Sequence, residues 1–166
     1  KLLFHGIYIL KSYPDISLNI VGGGAMRDSL AGQISRLGLE KYVRMSGPLP
    51  NKEAMSAMAD SEIFIMPSVR EGFGIVYLEA MACGCVAIGT QGEGIDGFIH
   101  SGENGFLARP LDVEDITEKI IWCFDNPGEA AAIARKGRQD ALALTWESNA
   151  EKYLALFESI PSRKRN

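Results

Sequence analysis

The stretch Glu62-Ile63-Phe64-Ile65-Met66-Pro67-Ser68-Val69-Arg70-Glu71-Gly72-Phe73-Gly74-Ile75-Val76-Tyr77-Leu78-Glu79-Ala80-Met81-Ala82-Cys83-Gly84-Cys85-Val86-Ala87-Ile88-Gly89 decides the fold. Glu62 to Met66 is a short, mostly apolar run stopped by Pro67-Ser68, which reads as a strand. The loop Val69 to Phe73 leads into a helix from about Gly74 to Cys83, and Cys85 to Gly89 is the next strand. Strand, helix, strand is the unit from which a parallel sheet is built.

The same alternation extends outward. Upstream, residues 2 to 12 carry apolar positions on a helical period and end at Tyr13-Pro14-Asp15. Ser17 to Val21 reads as a strand closed by Gly22-Gly23-Gly24, and Met26 to Leu37 as a helix closed by Gly38. Tyr42 to Met45 is a short strand. Asn51 is a good N-cap for a helix running to about Ala59, because its side chain accepts an orphan backbone N–H. Downstream come a short helix near Ile95 to His100, a short strand at Gly105-Phe106-Leu107, and helices at Val113–Phe124, Glu129–Leu144 and Glu147–Ile160. The expected architecture is one α/β domain over residues 1–166: a Rossmann-like parallel sheet with helices on both faces and a helical C-terminal end.

Composition narrows the function. The chain has 166 residues, of which 17 are Lys or Arg and 21 Asp or Glu, giving a net charge of -4. Disordered and collagen-like classes are excluded. No apolar run reaches the ~18 residues needed to span a bilayer. A mildly acidic balance argues against a nucleic-acid partner; the basic cluster Arg163-Lys164-Arg165 reads as a solvated tail. Cys83, Cys85 and Cys123 lack zinc or thioredoxin-type spacing and read as buried thiols in a reducing, cytoplasmic compartment. No signal peptide is visible, and the abrupt start without Met suggests a piece of a longer protein.

Ligands of such sheets bind outside the carboxyl ends of the strands. Two strand-to-helix turns therefore matter. Gly22-Gly23-Gly24-Ala25-Met26-Arg27 fails as a dinucleotide fingerprint at Arg27, and no G-K-[ST] is present for a Walker-type ATPase. It reads either as a plain turn or as a place where a ligand approaches the backbone at Gly23 and Gly24. At the second turn, Gly72 and Gly74 expose the backbone as a helix begins. The N–H groups near Gly74 to Val76 lack intrahelical acceptors and, with the helix dipole, suit phosphate. Glu71 and Glu79 flank this anion site if both face the ligand. Carboxylates repel phosphate but accept hydrogen bonds from sugar or ribose hydroxyls. From spacing alone, Glu71 reads equally as an exposed loop acid and Glu79 as part of a solvated helix face.

At these residues the sequence closely resembles the group-1 family of retaining, GT-B-type glycosyltransferases. Their pattern P-S-x-x-E-G-F-G-x-x-x-L-E-A-M-A-x-G stands here as Pro67-Ser68-Val69-Arg70-Glu71-Gly72-Phe73-Gly74 and Leu78-Glu79-Ala80-Met81-Ala82-Cys83-Gly84, with the E-x7-E spacing kept. The resemblance extends to Tyr13-Pro14-Asp15, Val21-Gly22-Gly23-Gly24, Gly102-Glu103-Asn104-Gly105-Phe106-Leu107 and Trp146. It implies the C-terminal, donor-binding half of a GT-B fold. By it, Glu71 contacts the donor's hexose and Glu79 the ribose hydroxyls. Backbone N–H groups of Phe73, Gly74, Ile75 and Val76 hold the diphosphate, and the loop near Leu49 and Asn51 grips the base.

The implied reaction transfers a hexosyl group from a UDP-, GDP- or ADP-linked sugar to a hydroxyl of a glycan or lipid-linked acceptor, with retention, in glycan or polysaccharide biosynthesis. The nucleotide sugar is a substrate, and no further cofactor or metal is implied, since no D-x-D cluster is present. An epimerase or phosphorylase of the same fold, or a non-catalytic interaction module, are the alternatives. The sequence departs from the family in places. Cys85 replaces a usual Pro, Gly92-Glu93-Gly94-Ile95-Asp96 replaces G-G-x-x-E, and His5 and His100 match no function. The family's first strand with its G-R and following Lys has no counterpart, and Lys1 does not take that role. Arg27 and Arg70 are candidates to compensate and read equally as surface charges. The acceptor-binding N-terminal domain and that normally central strand are missing, which leaves the isolated chain expected to be inactive.

Overall fold

The computed structural model describes Ile9, Ser12, Tyr13 and residues 15–159. The helix expected over residues 2 to 12 lies mostly outside these; Ile9 and Ser12 are helical, and the Tyr13 N–H donates to the Ile9 carbonyl at 2.8 Å. Lys1, His5, Ile160 and the Arg163-Lys164-Arg165 cluster also lie outside them.

Five strands and six α-helices follow in the described residues. The strands are β1 (Leu18–Val21), β2 (Val43–Gly47), β3 (Ile63–Ile65), β4 (Val86–Thr90) and β5 (Phe106–Ala108). The helices are α1 (Arg27–Arg36), α2 (Asn51–Ala59), α3 (Ile75–Cys83), α4 (Val113–Asp125), α5 (Pro127–Leu142) and α6 (Trp146–Ser159). Every strand pairing is parallel, as the alternation predicts, but the sheet comes in two pieces, β1-β2 and β3-β4-β5.

β4 is the centre of the larger piece. It pairs on both sides, Ile63 with Val86 and Ile88 with Phe106, and all five of its residues are buried. Because side chains alternate along a strand, Val86 and Ile88 pack on one face with Ile116, Ile120, Ile133 and Ala134 of α4 and α5. Ala87 faces the other way, among Tyr77 and Met81 of α3 and Ile95 and Ile99 beyond β4. Helices therefore cover both faces, which explains the near-continuous apolar run of this strand. In the smaller piece, Ile34 and Leu39 form a separate small core with partly buried Leu30, Tyr42, Val43 and Met45. β1 is poorly covered: Leu18 is 40% and Val21 42% exposed. The C-terminal α6 has no buried residue and leaves Trp146, Tyr153, Leu154 and Phe157 in solvent.

Three local expectations are corrected. Asn51 is the first helical residue of α2 and not its cap. Pro50, with φ -56° and ψ 151°, stands outside the helix, and its carbonyl accepts the N–H groups of Glu53 and Ala54 at 2.9 Å. The ring fixes φ at a value compatible with either role, and the extended ψ makes Pro50 the boundary. The short helix near Ile95 to His100 is a 3₁₀ turn over Gly94–Gly97. The helix expected from Glu129 begins at Pro127, which suits the first helical position because its missing N–H would have no acceptor there.

Candidate functional site

The loop after β3 is built around Gly74. This residue caps α3 in the left-handed region, with φ 74° and ψ 63°, and contributes no side-chain cap. A Cβ there would stand 2.6 Å from the Tyr77 ring as well as forcing a strained φ, so only glycine fits. The Gly74 carbonyl already accepts the Tyr77 N–H at 2.9 Å, which closes the first turn. The N–H groups of Ile75 and Val76 then precede any intrahelical acceptor. Ile75 is 67% and Phe73 44% exposed, so this helix start opens to solvent.

Glu71 is half-buried, and its Cγ lies 3.1 Å from the position a Gly74 Cβ would take, so the side chain folds over the cap. Glu79 is half-buried on α3, four residues after Ile75 and so on the same helical face. Among the described residues no ion pair engages Glu71, Glu79, Arg27 or Arg70; both arginines are exposed.

Two side chains that sequence reading did not assign complete this loop. Tyr77, fully buried, donates its hydroxyl proton to the Met66 carbonyl just past β3. Burial pushes its pKa up to about 12, reinforced by the charges of Glu71 and Glu93. The Glu93 carboxylate accepts the Glu71 backbone N–H at 2.8 Å, and the Gly94 N–H donates to the Glu71 carbonyl at 3.2 Å. The available signal was an acid in a glycine-rich loop after the next strand. Asp96, left without a role on sequence, accepts the Gly92 N–H at 2.6 Å within the same turn.

Gly23, Gly24, Leu49 and Asn51 form a second group at the carboxyl ends of β1 and β2. The Gly22 N–H donates to the Gly47 carbonyl at 2.8 Å, and a Cβ on Gly23 would lie 3.2 Å from the Pro48 ring. Gly23, Gly24 and Asn51 are exposed and Leu49 is half-buried. α2, which begins at Asn51, packs against α3, and the Cys83 thiol reaches the Met55 carbonyl at 3.6 Å. Both groups thus sit where helices start after parallel strands. A separate hollow of about 300 Å³, lined by Ser101, Phe106, Lys119 and Trp122 among others, lies between β5 and α4, away from Glu71. Among the described residues no group of three His, Cys, Asp or Glu side chains is placed to hold a metal ion.

Cys85, standing where the family usually has Pro, is fully buried, and its thiol donates towards the Met58 and Ser61 carbonyls at 3.0 and 3.3 Å. Burial pushes its pKa up to about 11, which makes it a structural thiol. His100 is exposed and serves the fold through its backbone N–H, which donates to the Asn104 side chain at 2.8 Å.

Parallel strands sandwiched by helices, with an open, glycine-capped helix start at their carboxyl edge, define an α/β domain of the parallel-sheet class. The chain belongs to the family described as glycosyl transferases group 1, whose model matches residues 2–140, and it carries the C-terminal half of the GT-B fold. It is 34% identical over 136 residues to the GDP-mannose-dependent alpha-(1-6)-phosphatidylinositol monomannoside mannosyltransferase of Mycolicibacterium smegmatis, covering 78% of this chain and 36% of that protein. Sucrose-phosphate synthase of Thermosynechococcus elongatus superposes with a TM-score of 0.77 at 26% identity, over 93% of this chain and 41% of that one. HepE of Anabaena, solved in complex with UDP-glucose, gives a TM-score of 0.75 at 26% identity, over 89% and 42%. The chain thus spans 36% to 42% of the length of these proteins.

Proposed function

We propose that this chain is the donor-binding part of a retaining glycosyltransferase, which moves a hexosyl group from a nucleotide diphosphate sugar to an acceptor hydroxyl in glycan or polysaccharide synthesis. One arrangement carries the reading: the left-handed Gly74 leaves the helix-start N–H groups at an exposed turn, with Glu71 folded over the cap and Glu79 one turn along the same face. In this reading the diphosphate lies on the N–H groups of Phe73, Gly74, Ile75 and Val76. Glu71 meets the hexose, Glu79 accepts from the ribose hydroxyls, and the backbone at Gly23, Gly24, Leu49 and Asn51 borders the base.

The chemistry follows from charge. As the glycosidic bond breaks, negative charge grows on the leaving diphosphate. Backbone N–H groups already aimed at it stabilise that charge without reorganising, as oxyanion donors do. The acceptor site and any general base belong to the remainder of the protein. The single-domain reading of residues 1–166 and a cytoplasmic setting complete the proposal; the three cysteines are free thiols, as a reducing compartment favours. Among the described residues no helix is long and apolar enough to cross a membrane.

Calorimetry on the full-length protein with UDP-, GDP- and ADP-sugars tests this. One class should bind, and Glu79→Ala should weaken it about tenfold, the worth of a hydrogen bond to a charged group. A folded protein that binds none refutes the reading. Mass spectrometry of the products then separates a glycoside from the free sugar or epimer that the alternatives would release.

A further inference from the structure

The Glu71 peptide is gripped at both its polar groups by one neighbouring turn. Its N–H donates to Glu93 Oε2 at 2.8 Å, and its carbonyl accepts the Gly94 N–H at 3.2 Å. The turn presses so close that a Cβ on Gly94 would stand 1.8 Å from the Gly72 carbonyl oxygen and 2.7 Å from Phe73 Cα. The turn is itself anchored. Ile95 is fully buried against Gly89 and Tyr77, the Gln91 N–H donates to the Ala108 carbonyl at 2.9 Å, and Asp96 accepts the Gly92 N–H at 2.6 Å. The buried β4-β5 edge thus reaches across to a loop that carries two glycines and has an open face.

A carboxylate beside an anion site is an electrostatic liability, because it repels the phosphate the site is meant to hold. Glu93 brings that liability, half-buried and with its charge felt at Tyr77, and its hydrogen bond goes to the backbone of Glu71. The liability is offset if the bond fixes the direction of groups that would otherwise have to be ordered when the donor binds. We infer that Glu93 is a positioning residue of the donor site: with the Gly94 N–H it clamps the Glu71 peptide, and so aims the Glu71 side chain and the amides from Gly72 to Ile75. This rests on the donor-site reading above. It makes the turn after β4 a working part of the site, acting through Glu71.

Two measurements on the full-length protein test it together. The first is amide hydrogen exchange at Glu71, which reports the clamp whatever the ligand. Glu93→Ala should speed that exchange about tenfold or more, whereas Glu93→Gln, whose amide oxygen still accepts, should stay within about threefold of the parent. The second is turnover of the nucleotide sugar found by calorimetry. Glu93→Ala should lower kcat/KM by about tenfold to a hundredfold, the loss of one hydrogen bond to a charged group, and Glu93→Gln, a neutral acceptor, should recover part of it. If Glu93→Ala does not fold, Glu93→Asp, one methylene short, takes its place. Unchanged exchange at Glu71 overturns the clamp. Equal damage from Ala and Gln overturns positioning in favour of charge alone. If no nucleotide sugar is turned over, the donor reading fails and the positioning role with it, while the exchange result still decides whether the clamp exists.

Discussion

All five residues of β4 are buried and both its edges are paired, whereas among the described residues β1 pairs on one edge and leaves Leu18 and Val21 about two-fifths exposed. The sequences differ in the same sense: Val-Ala-Ile-Gly-Thr is a near-continuous apolar run, whereas Leu-Asn-Ile-Val is interrupted by Asn19. The company each keeps differs too. β4 lies between two strands and two layers of helix; β1 shares a two-stranded ribbon with a small core of Ile34 and Leu39. The Glu71 loop, Tyr77 and the Glu93 turn all belong to the well-buried half.

Paired core deletions should separate the two strands most clearly. Ile88→Ala in β4, at a site 1% exposed, should cost about 2–5 kcal/mol, while Val21→Ala in β1 should cost less than about 1 kcal/mol, both read by urea denaturation. Equal costs would mean the halves are equally packed. Next in size, Tyr77→Phe removes the hydroxyl that donates to the Met66 carbonyl and should cost about 1–2 kcal/mol, because a buried acceptor loses its partner. Spectrophotometric titration sharpens this, since the Tyr77 band should shift only near pH 12 and vanish in the variant.

The smallest expected effect is a pH dependence placed in the same half. Burial pushes the Asp115 carboxyl up, but the Lys119 ammonium at 2.6 Å and the Arg109 N–H at 2.7 Å overcome this and hold its pKa below the ordinary value. The Lys136 hydrogen bond lowers Asp140 likewise. A pKa lower in the folded state means the stabilisation is complete above the unfolded value of about 3.9 and disappears as pH falls through the folded one. Thermal unfolding between pH 2 and 6 should show that decline, and Asp115→Asn should flatten it. A decline unchanged in the variant would assign it to other carboxylates.

The strand–turn–helix from Glu62 to Cys83 was legible because short apolar runs, Pro67 and the glycines mark its joints locally. Of the three cysteines expected to be buried, Cys85 and Cys123 are, while Cys83 is only partly buried. The missing central strand of the family pattern pointed to a gap in the sheet but not to whether it would be filled, closed up or left open; among the described residues the sheet stands in two pieces. Asn51 misled because its cap propensity is a local signal, overridden by the extended Pro50 before it. Glu93 was visible as an acid near glycines, yet its partner is a backbone N–H 22 residues away, and main-chain hydrogen bonding across loops leaves no mark in side-chain type. Tyr77 had the same problem: a buried tyrosine in a helix announces no particular acceptor.

The helix α6 stands apart from this packing. A helix of fourteen residues with none buried draws little support from tertiary packing, and isolated helices of that length are marginal in water. In an isolated fragment of residues 1–166, a protease added in small amounts would therefore cut first around Ala143 to Trp146, separating Tyr153 and Phe157 from the sheet. The trimmed remainder would keep β4, Glu71 and Glu93 together, giving crystallisation trials a more compact starting material.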